Sequence, residues 1–520
     1  MRQAAPGLAL ALTLACSAPP AAQDRAVVAW ESFPLSLDPR QGQDQASQRL
    51  LALTHQGLLR RDPRLQLVPD ACLAWRWERP FTELSFDFPD EKAARALDSE
   101  WFWFAPGRPL GVADARDAVE ALRDPNLASP KSGPFRQEIQ STEILPRPGG
   151  TRLLIRLRNP NPGFAVNLTR GVLGIAPEGM RGPRLPGTGP YRIAEVVQEE
   201  RILLLPRLEH PDLRRHPGRA LPLELRLLPD ATTRLLALRH GSVGASLNNI
   251  PSDLLPGAGR ARAHPAPGAN LEYVAFQCSH PILGRPQVRK ALSLALDRKQ
   301  LLTGLMGGLA REAWGFFPPE LPHGADAREE LGIPGSFEAR LALAEALLDA
   351  AGWPRQASGF RFVLRISCTP EIASRMKALA IQAQWRRVGV DLRIVAREFG
   401  TLLAEVMAGK FEVVSLRWVG TTDPQMLHDT FHSASVPPRG FNRGHFQDAQ
   451  VDRWLDEAKN SPDPGKRLEL LRRVQVRVVD LAPYAFLWWP DQVPVLAPGL
   501  EMDVNPAGDF TGIWRTGTGP

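Results

Sequence analysis

Between Thr369 and Ile394 two periodicities meet at a glycine, and this junction constrains the fold more than any other stretch of the chain. Thr369-Pro370 reads as a helix start with proline at its first position, and Ile372, Met376, Leu379, Ala380 and Ala383 form an apolar stripe that ends before Gly389. Directly afterwards Val390, Leu392 and Ile394 alternate with Asp391 and Arg393, the period of two that marks a strand. A helix that runs into a strand across one glycine predicts an α/β layer.

Related signals recur along the chain. From Gln287 to Leu301 the residues Val288, Ala291, Leu292, Ala295 and Leu296 define one helix face and leave Arg289, Lys290 and Arg298 for the outside. A helix from about Ser336 to Ala351 stops at Gly352, and Asp463-Pro464 opens another carrying Leu468, Leu471, Val474 and Val478. Phe411 to Trp418 reads as a mostly apolar strand. The first half mixes short runs, such as Leu153-Leu154-Ile155-Arg156-Leu157 and Ile202 to Leu205, with proline- and glycine-rich turns. The expected class is α/β in the broad sense, α+β with a substantial sheet.

At 520 residues the chain is long enough for about three domains of roughly 150 residues. Apolar residues at 43% and charged residues at 23% describe a folded protein, with 50 prolines and 43 glycines adding turns. The net charge of +7 is diffuse, with no run of five like charges. The densest arginine stretch, Arg201 to Arg219, is broken by Glu209, Asp212 and prolines and has no interleaved aromatics for bases to stack on, so nucleic-acid binding is not expected.

The N-terminus reads as an export signal over residues 1–15: Met1-Arg2, a short apolar run from Leu8 to Leu14, then Ala15-Cys16-Ser17-Ala18 before Pro19-Pro20. The run is too short to span a membrane, which takes about 20 residues. Cys16 stands where a bacterial lipoprotein carries its acylated cysteine, although Thr13 occupies the position usually held by leucine; simple cleavage to a soluble periplasmic protein is the alternative. The remaining cysteines, Cys72, Cys278 and Cys368, are too few and too far apart for a disulfide framework or a metal site. Cys278 with Cys368 is the pair to test for a bridge, against three buried thiols.

No HExxH, GxSxG or Walker-type phosphate loop is present, which removes the common hydrolase and nucleotide signatures. Gly187-Thr188-Gly189-Pro190-Tyr191 reads as a tight turn, because Pro190 removes a donor that a phosphate loop needs. His210 and His216 share a proline-broken loop without cysteine neighbours, and no metal is expected there. Of the 13 tryptophans Trp418 is the strongest binding candidate, because Val419-Gly420-Thr421-Thr422-Asp423-Pro424 sets polar groups and a carboxylate at the end of its strand.

Taken in order, a series of segments resembles the bacterial extracellular solute-binding proteins of family 5, which deliver oligopeptides, dipeptides and related solutes to ABC importers. The series comprises Ser36-Leu37-Asp38-Pro39, Gly57-Leu58-Leu59, Val68-Pro69-Asp70 with Ala74-Trp75, Ala115-Arg116-Asp117-Ala118-Val119 and Asp124-Pro125-Asn126 with Ala128-Ser129-Pro130. It continues through Gly187-Thr188-Gly189-Pro190-Tyr191, Val288-Arg289-Lys290-Ala291-Leu292 with Leu296-Asp297-Arg298, Ala350-Ala351-Gly352-Trp353, Gly389-Val390-Asp391-Leu392, Gly409-Lys410-Phe411-Glu412 and Ala482-Pro483. Gly241-Ser242-Val243-Gly244 and Gln277 depart from the family pattern. The aspartate that takes a peptide ammonium in oligopeptide binders, three residues after the tryptophan, is replaced here by Thr421, with Asp423 two residues on.

The resemblance implies a two-lobed periplasmic-binding-protein-like fold of the large, three-domain type that closes around its solute. It divides the chain into residues 24–70, 186–270 and 485–520 as domain I, 71–185 as domain II and 271–484 as domain III. It implies a binding protein, with no catalytic residue, cofactor or metal, whose ligand-binding residues are Trp418, Gly420, Thr421 and Asp423. The expected partners are a peptide or other small solute and an ABC importer permease, with no nucleic acid. The expected protein is a monomer at the periplasm or outer side of the cell membrane, touching the membrane only through a lipid on Cys16. An envelope scaffold or sensor of the same fold, or an enzyme of unknown type, are the other classes.

Overall fold

The computed structural model describes residues 25–515 other than 43, 63, 64, 216, 217, 219, 248, 249, 462, 507 and 509. The export segment with Cys16, and His216, lie outside the described residues.

Three large sheets organise the chain. The first has seven strands in the order Tyr191–Val197, Arg201–Pro206, Leu223–Leu227, Ala26–Trp30, Ala245–Ser246, Val495–Leu496 and Arg262–Ala263. Its middle strand, Ala26–Trp30, is buried at all five positions and runs parallel to both neighbours, which explains its unbroken apolar sequence. The second is antiparallel, in the order Ala74–Arg79, Glu83–Pro89, Gly150–Leu157 and Ile139–Arg147. Leu84, Phe86 and Phe88 with Leu153, Ile155 and Leu157 join one apolar cluster with Ala115, Val119 and Leu122 of the helix Val112–Arg123.

The third sheet has six strands in the order Ala310–Glu312, Tyr484–Pro490, Leu271–Phe276, Val413–Trp418, Phe362–Cys368 and Val390–Ala396. It is covered on both faces: along Leu271–Phe276, Tyr273 and Ala275 join one apolar cluster while Val274 and Phe276 join the other. The predicted α/β junction is here. Phe362–Cys368 pairs in parallel with Val390–Ala396, and the helix Ile372–Arg386 connects them.

That helix corrects the sequence reading in two respects. It begins at Ile372, so Thr369-Pro370 precedes it. Its packed face is Ala378, Ile381 and Trp385, with Trp385 Nε1 donating to Leu292 O at 2.9 Å, whereas Ile372, Met376, Leu379 and Ala383 of the proposed stripe are exposed. Both stripes have helical spacing; the large indole decides which one turns inward, because it has the most apolar surface to bury.

The stretch Gln287 to Leu301 is likewise two helices, Pro286–Leu294 and Arg298–Met306, the second capped by Asp297, which accepts from Gln300 N at 3.1 Å. Arg289 and Arg298 are inside, at 3% and 1% exposure. Arg289 donates to the carbonyls of Leu283, Gly284, Leu481 and Ala482, closing the C-terminal end of the helix Pro464–Leu481 where carbonyls lack partners. Arg298 donates to Ser293 O and Phe486 O and lies 3.7 Å from the Trp314 ring centre. Charge suggested an outside position; five guanidinium N–H groups available to orphan carbonyls reverse it. Only Lys290 stays at the surface, paired with Asp480 at 2.5 Å.

The helices Phe337–Ala350 and Pro464–Leu481 begin on Ser336 and Asp463 as expected, each side chain accepting a backbone N–H. Cys72, Cys278 and Cys368 are free thiols, so the Cys278–Cys368 bridge is not formed. Asp38 of the early Ser36-Leu37-Asp38-Pro39 segment pairs with Arg40 at 2.7 Å. Lys131 Nζ donates to the carbonyls of Pro39, Gly171 and Val172, tying that segment to the region of the second sheet; burial lowers its pKa to about 8.

Candidate functional site between the lobes

The loop after the strand Val413–Trp418 is held to the neighbouring strand's approach. Gly420 adopts φ +64°, a left-handed conformation that favours glycine, and its N–H reaches Asn270 Oδ1 at 2.8 Å. Thr421 is fully buried; its N–H donates to Ala269 O at 3.1 Å and its hydroxyl donates to the same carbonyl. Thr421 therefore fixes the loop, and its side chain is not presented to a ligand.

Asp423 follows. Its Oδ1 accepts Gln425 N at 2.9 Å, the bond of a turn leading into the helix Gln425–Phe431. The carboxylate also meets the part of the chain built on the second sheet: a Cβ added to Gly163 would stand 3.4 Å from Asp423 Oδ1 and 3.2 Å from Gln425 Cβ. Gly163 N donates to Asn161 Oδ1 at 2.9 Å, and Asn161 donates to Glu138. The two parts also meet where the Arg467 guanidinium lies 5.6 Å from the ring centre of Phe81, a residue that joins two strands of the second sheet, and Leu65 packs against the core of the third sheet. Asp423 thus occupies a seam between two bodies of the protein.

The electrostatics of this seam are unusual. Burial pushes the Asp423 carboxyl up and Asp429 adds to this, while the Gln425 N–H, Arg61 and Arg467 oppose it. Glu138, across the seam, is also pushed up by burial and by Asp429 and Asp423, against Asn161 and Lys459. The Asp423 charge therefore disfavours ionisation of Glu138 on the opposite body, and a cation entering between them would favour both charged forms.

Trp418 occupies a different environment. Its ring stacks on Tyr273 at 6.2 Å and meets Phe441 edge-on at 5.4 Å. Arg443 lies over it, 4.7 Å from the ring centre, and donates to the Tyr273 hydroxyl at 3.3 Å. The four residues expected at the site thus divide into an aromatic–guanidinium cluster around Trp418 and a carboxylate seam at Asp423, with Gly420 and Thr421 as the connecting loop. Sequence reading missed Arg443, Glu138, Asn161 and Gly163. Arg443, in the Gly440-Phe441-Asn442-Arg443-Gly444 loop, carried a weak signal as a lone cation among aromatics; the other three lie over 250 residues from Asp423 and carried none.

His428 and His432, one helical turn apart, bring ring nitrogens within 4.8 Å of each other and of Asp456. His432 Nδ1 accepts Ala434 N–H at 3.0 Å, which leaves the ring proton on Nε2, facing Asp456 at 3.4 Å. A metal-binding imidazole uses the opposite arrangement, donating from its outer nitrogen.

The solved structure titled MppA periplasmic murein tripeptide binding protein, unliganded open form, superposes with a TM-score of 0.78 at 20% identity, over 95% of this chain and 98% of that one. The ABC transporter-associated periplasmic binding protein DppA from Helicobacter pylori, in complex with the peptide STSA, gives 0.67 at 19% identity, over 94% and 98%. Both show the fold: two lobes of the large, multi-domain type. A probable di/tripeptide-binding protein 5 of Pseudomonas aeruginosa (strain UCBPP-PA14) is 26% identical over 470 residues, covering 85% of this chain and 86% of that protein. Residues 103–436 match the family model described as bacterial extracellular solute-binding proteins, family 5 middle, and with well over half of the sequence so matched the chain belongs to that family.

Proposed function

We propose that the protein captures a peptide, or a related solute with a free amine, between its lobes outside the cytoplasm and delivers it to an ABC importer permease. The observation that carries this reading is Asp423: a carboxylate in the seam between the two bodies, with Glu138 facing it and no ion pair within 4 Å among the described residues. A ligand ammonium placed there contacts both lobes at once, so it binds the closed form better than the open one and shifts the population toward closure. Trp418 ends the strand that leads into the ligand-facing loop, Gly420 lies in that loop, and Thr421 anchors it. In this reading the first sheet is domain I, the second domain II and the third domain III, with one change to the expected boundaries: the strand Tyr484–Pro490 pairs inside the third sheet, so residues 485–490 go with domain III and not with domain I. Cys16 carries the lipid that holds an otherwise soluble monomer at the membrane, and the protein binds without catalysing.

The test is a thermal-shift screen against free-amine peptides. A ligand at about a hundredfold excess over its dissociation constant should stabilise the fold by about 2.7 kcal/mol through mass action. A flat melting temperature across a broad peptide library removes the reading.

A pH dependence follows from the same carboxyl. Its pKa is raised in the ligand-free fold, so the seam is least strained in acid, and the ionised form that an ammonium needs is lost as pH falls through that raised value. Calorimetry in a series of buffers running from about pH 7.5 down into the ordinary carboxylate range should show a free-amine peptide binding progressively more weakly, with an N-acetylated peptide nearly unaffected. Affinity for the free amine that holds constant down to the ordinary carboxylate range removes Asp423 from the amine site.

A further inference from the structure

The Gly187-Thr188-Gly189-Pro190-Tyr191 turn borders a cavity of about 290 Å³ whose wall includes Thr54, His55, Arg184, Arg192 and Arg207. Arg207 is half-buried and held by a donation from Nη2 to Gly187 O at 2.9 Å, while its Nε is buried without a hydrogen-bond partner. Arg184 and Arg192 are exposed at the rim. Among the described residues none of the three forms an ion pair. The wall contains no carboxylate, and the acid that most favours the Arg207 charge is the exposed Glu209.

Elsewhere Arg40 meets Asp38 and Arg152 meets Asp87, each at 2.7 Å, and the buried Arg289 and Arg298, which meet no acid among the described residues, donate from all three guanidinium nitrogens, whereas Arg207 leaves its Nε without a partner. His55 adds no charge of its own to the cavity, since burial lowers its pKa to about 4, and its ring nitrogens already face Thr54 Oγ1 and Leu185 O. Three arginines line one cavity whose wall holds no counter-charge, burial and Arg192 both disfavour the Arg207 charge, and planar N–H forks match the oxygens of a phosphate.

We propose that this cavity, separate from the interlobe seam, binds a phosphate-type oxyanion, either free inorganic phosphate or the phosphate of an anionic phospholipid headgroup. Arg207 forms its floor, and Arg184 and Arg192 close over the anion from the rim.

The experiment uses the full chain with Cys16→Ser, so that no lipid anchor contributes. Inorganic phosphate is titrated at constant ionic strength, with chloride as the matched control, and read by calorimetry and melting temperature. Phosphate should bind and raise the melting temperature. Arg184→Gln with Arg192→Gln, both at exposed positions, should weaken binding at least about tenfold without changing the fold seen by circular dichroism. Arg207→Gln is the second variant, informative if it folds, with the rim pair sufficient if it does not.

Vesicles of phosphatidylglycerol are compared with phosphatidylcholine by co-sedimentation. Binding to phosphatidylglycerol that is lost in the rim variant and competed by phosphate identifies a lipid headgroup; phosphate binding without vesicle binding identifies the free ion. Phosphate binding equal to the chloride control together with no phosphatidylglycerol binding, or binding of either probe unchanged in the rim variant, overturns the proposal. Free-amine peptide binding should be intact in the rim variant, which separates this site from the function of the seam.

Discussion

Asp423→Asn is expected to weaken a free-amine peptide by about 2–5 kcal/mol, roughly thirtyfold to a few thousandfold, while the ligand-free protein changes in stability by less than about 1 kcal/mol. The asymmetry follows from geometry. Asparagine has nearly the same shape and keeps an oxygen that can accept the Gln425 N–H, so the turn into the helix Gln425–Phe431 survives. The substitution removes the charge that an ammonium would meet and leaves the ligand cation desolvated beside a neutral amide. It also removes the repulsion with Glu138 across the seam, so the ligand-free protein has no electrostatic reason to lose stability. An N-acetylated peptide should bind wild type and variant alike. If instead Asp423→Asn melts early and retains full affinity for free amines, the carboxylate serves only the turn.

The elements legible in the sequence were those whose start, stop and period agree locally. The helices opened by Ser336 and Asp463, and the strands Val390–Ala396 and Arg201–Pro206, are of this kind. Misreadings arose where two local patterns competed and tertiary contact chose between them. In Ile372–Arg386 both helix faces carry apolar residues, and only the contact of Trp385 with Leu292 and Phe276 settles which is inside. For Arg289 and Arg298 the deciding partners are carbonyls some 190 residues away, at Leu481, Ala482 and Phe486, and no window of sequence contains them. The site was half visible for the same reason. A polar loop with a carboxylate after an apolar strand marks Asp423, but the opposing Glu138, Asn161 and Gly163 reach it only after the chain has folded. The family resemblance supplied what periodicity lacked, the order in which such pieces assemble.

Gly189→Ala should be among the most damaging single-methyl additions in the molecule. A Cβ at Gly189 would lie 2.4 Å from Thr54 C, 2.6 Å from Leu53 O and 2.7 Å from His55 N, all backbone atoms at the end of the helix Gln45–Thr54. At Gly187 it would lie 2.2 Å from Thr54 O. Neither glycine is forced by a positive φ; each is required because two backbones touch, with Gly189 N donating to Thr54 O at 2.9 Å. Side-chain rotation cannot relieve a collision with backbone, so the turn or the helix must move, and the cost should reach or exceed the roughly 1–3 kcal/mol usual for overpacking. Gly133→Ala is the control. It lies within the helix Ser132–Glu138 with nothing within 4 Å of its added Cβ, and alanine there should stabilise by about 0.5–1 kcal/mol. Urea denaturation of the two variants beside wild type reads both signs at once. A Gly189→Ala protein as stable as the Gly133→Ala protein would mean that the turn does not rest on the helix end, and the close packing of Gly187-Thr188-Gly189-Pro190-Tyr191 against Thr54 would have to be abandoned.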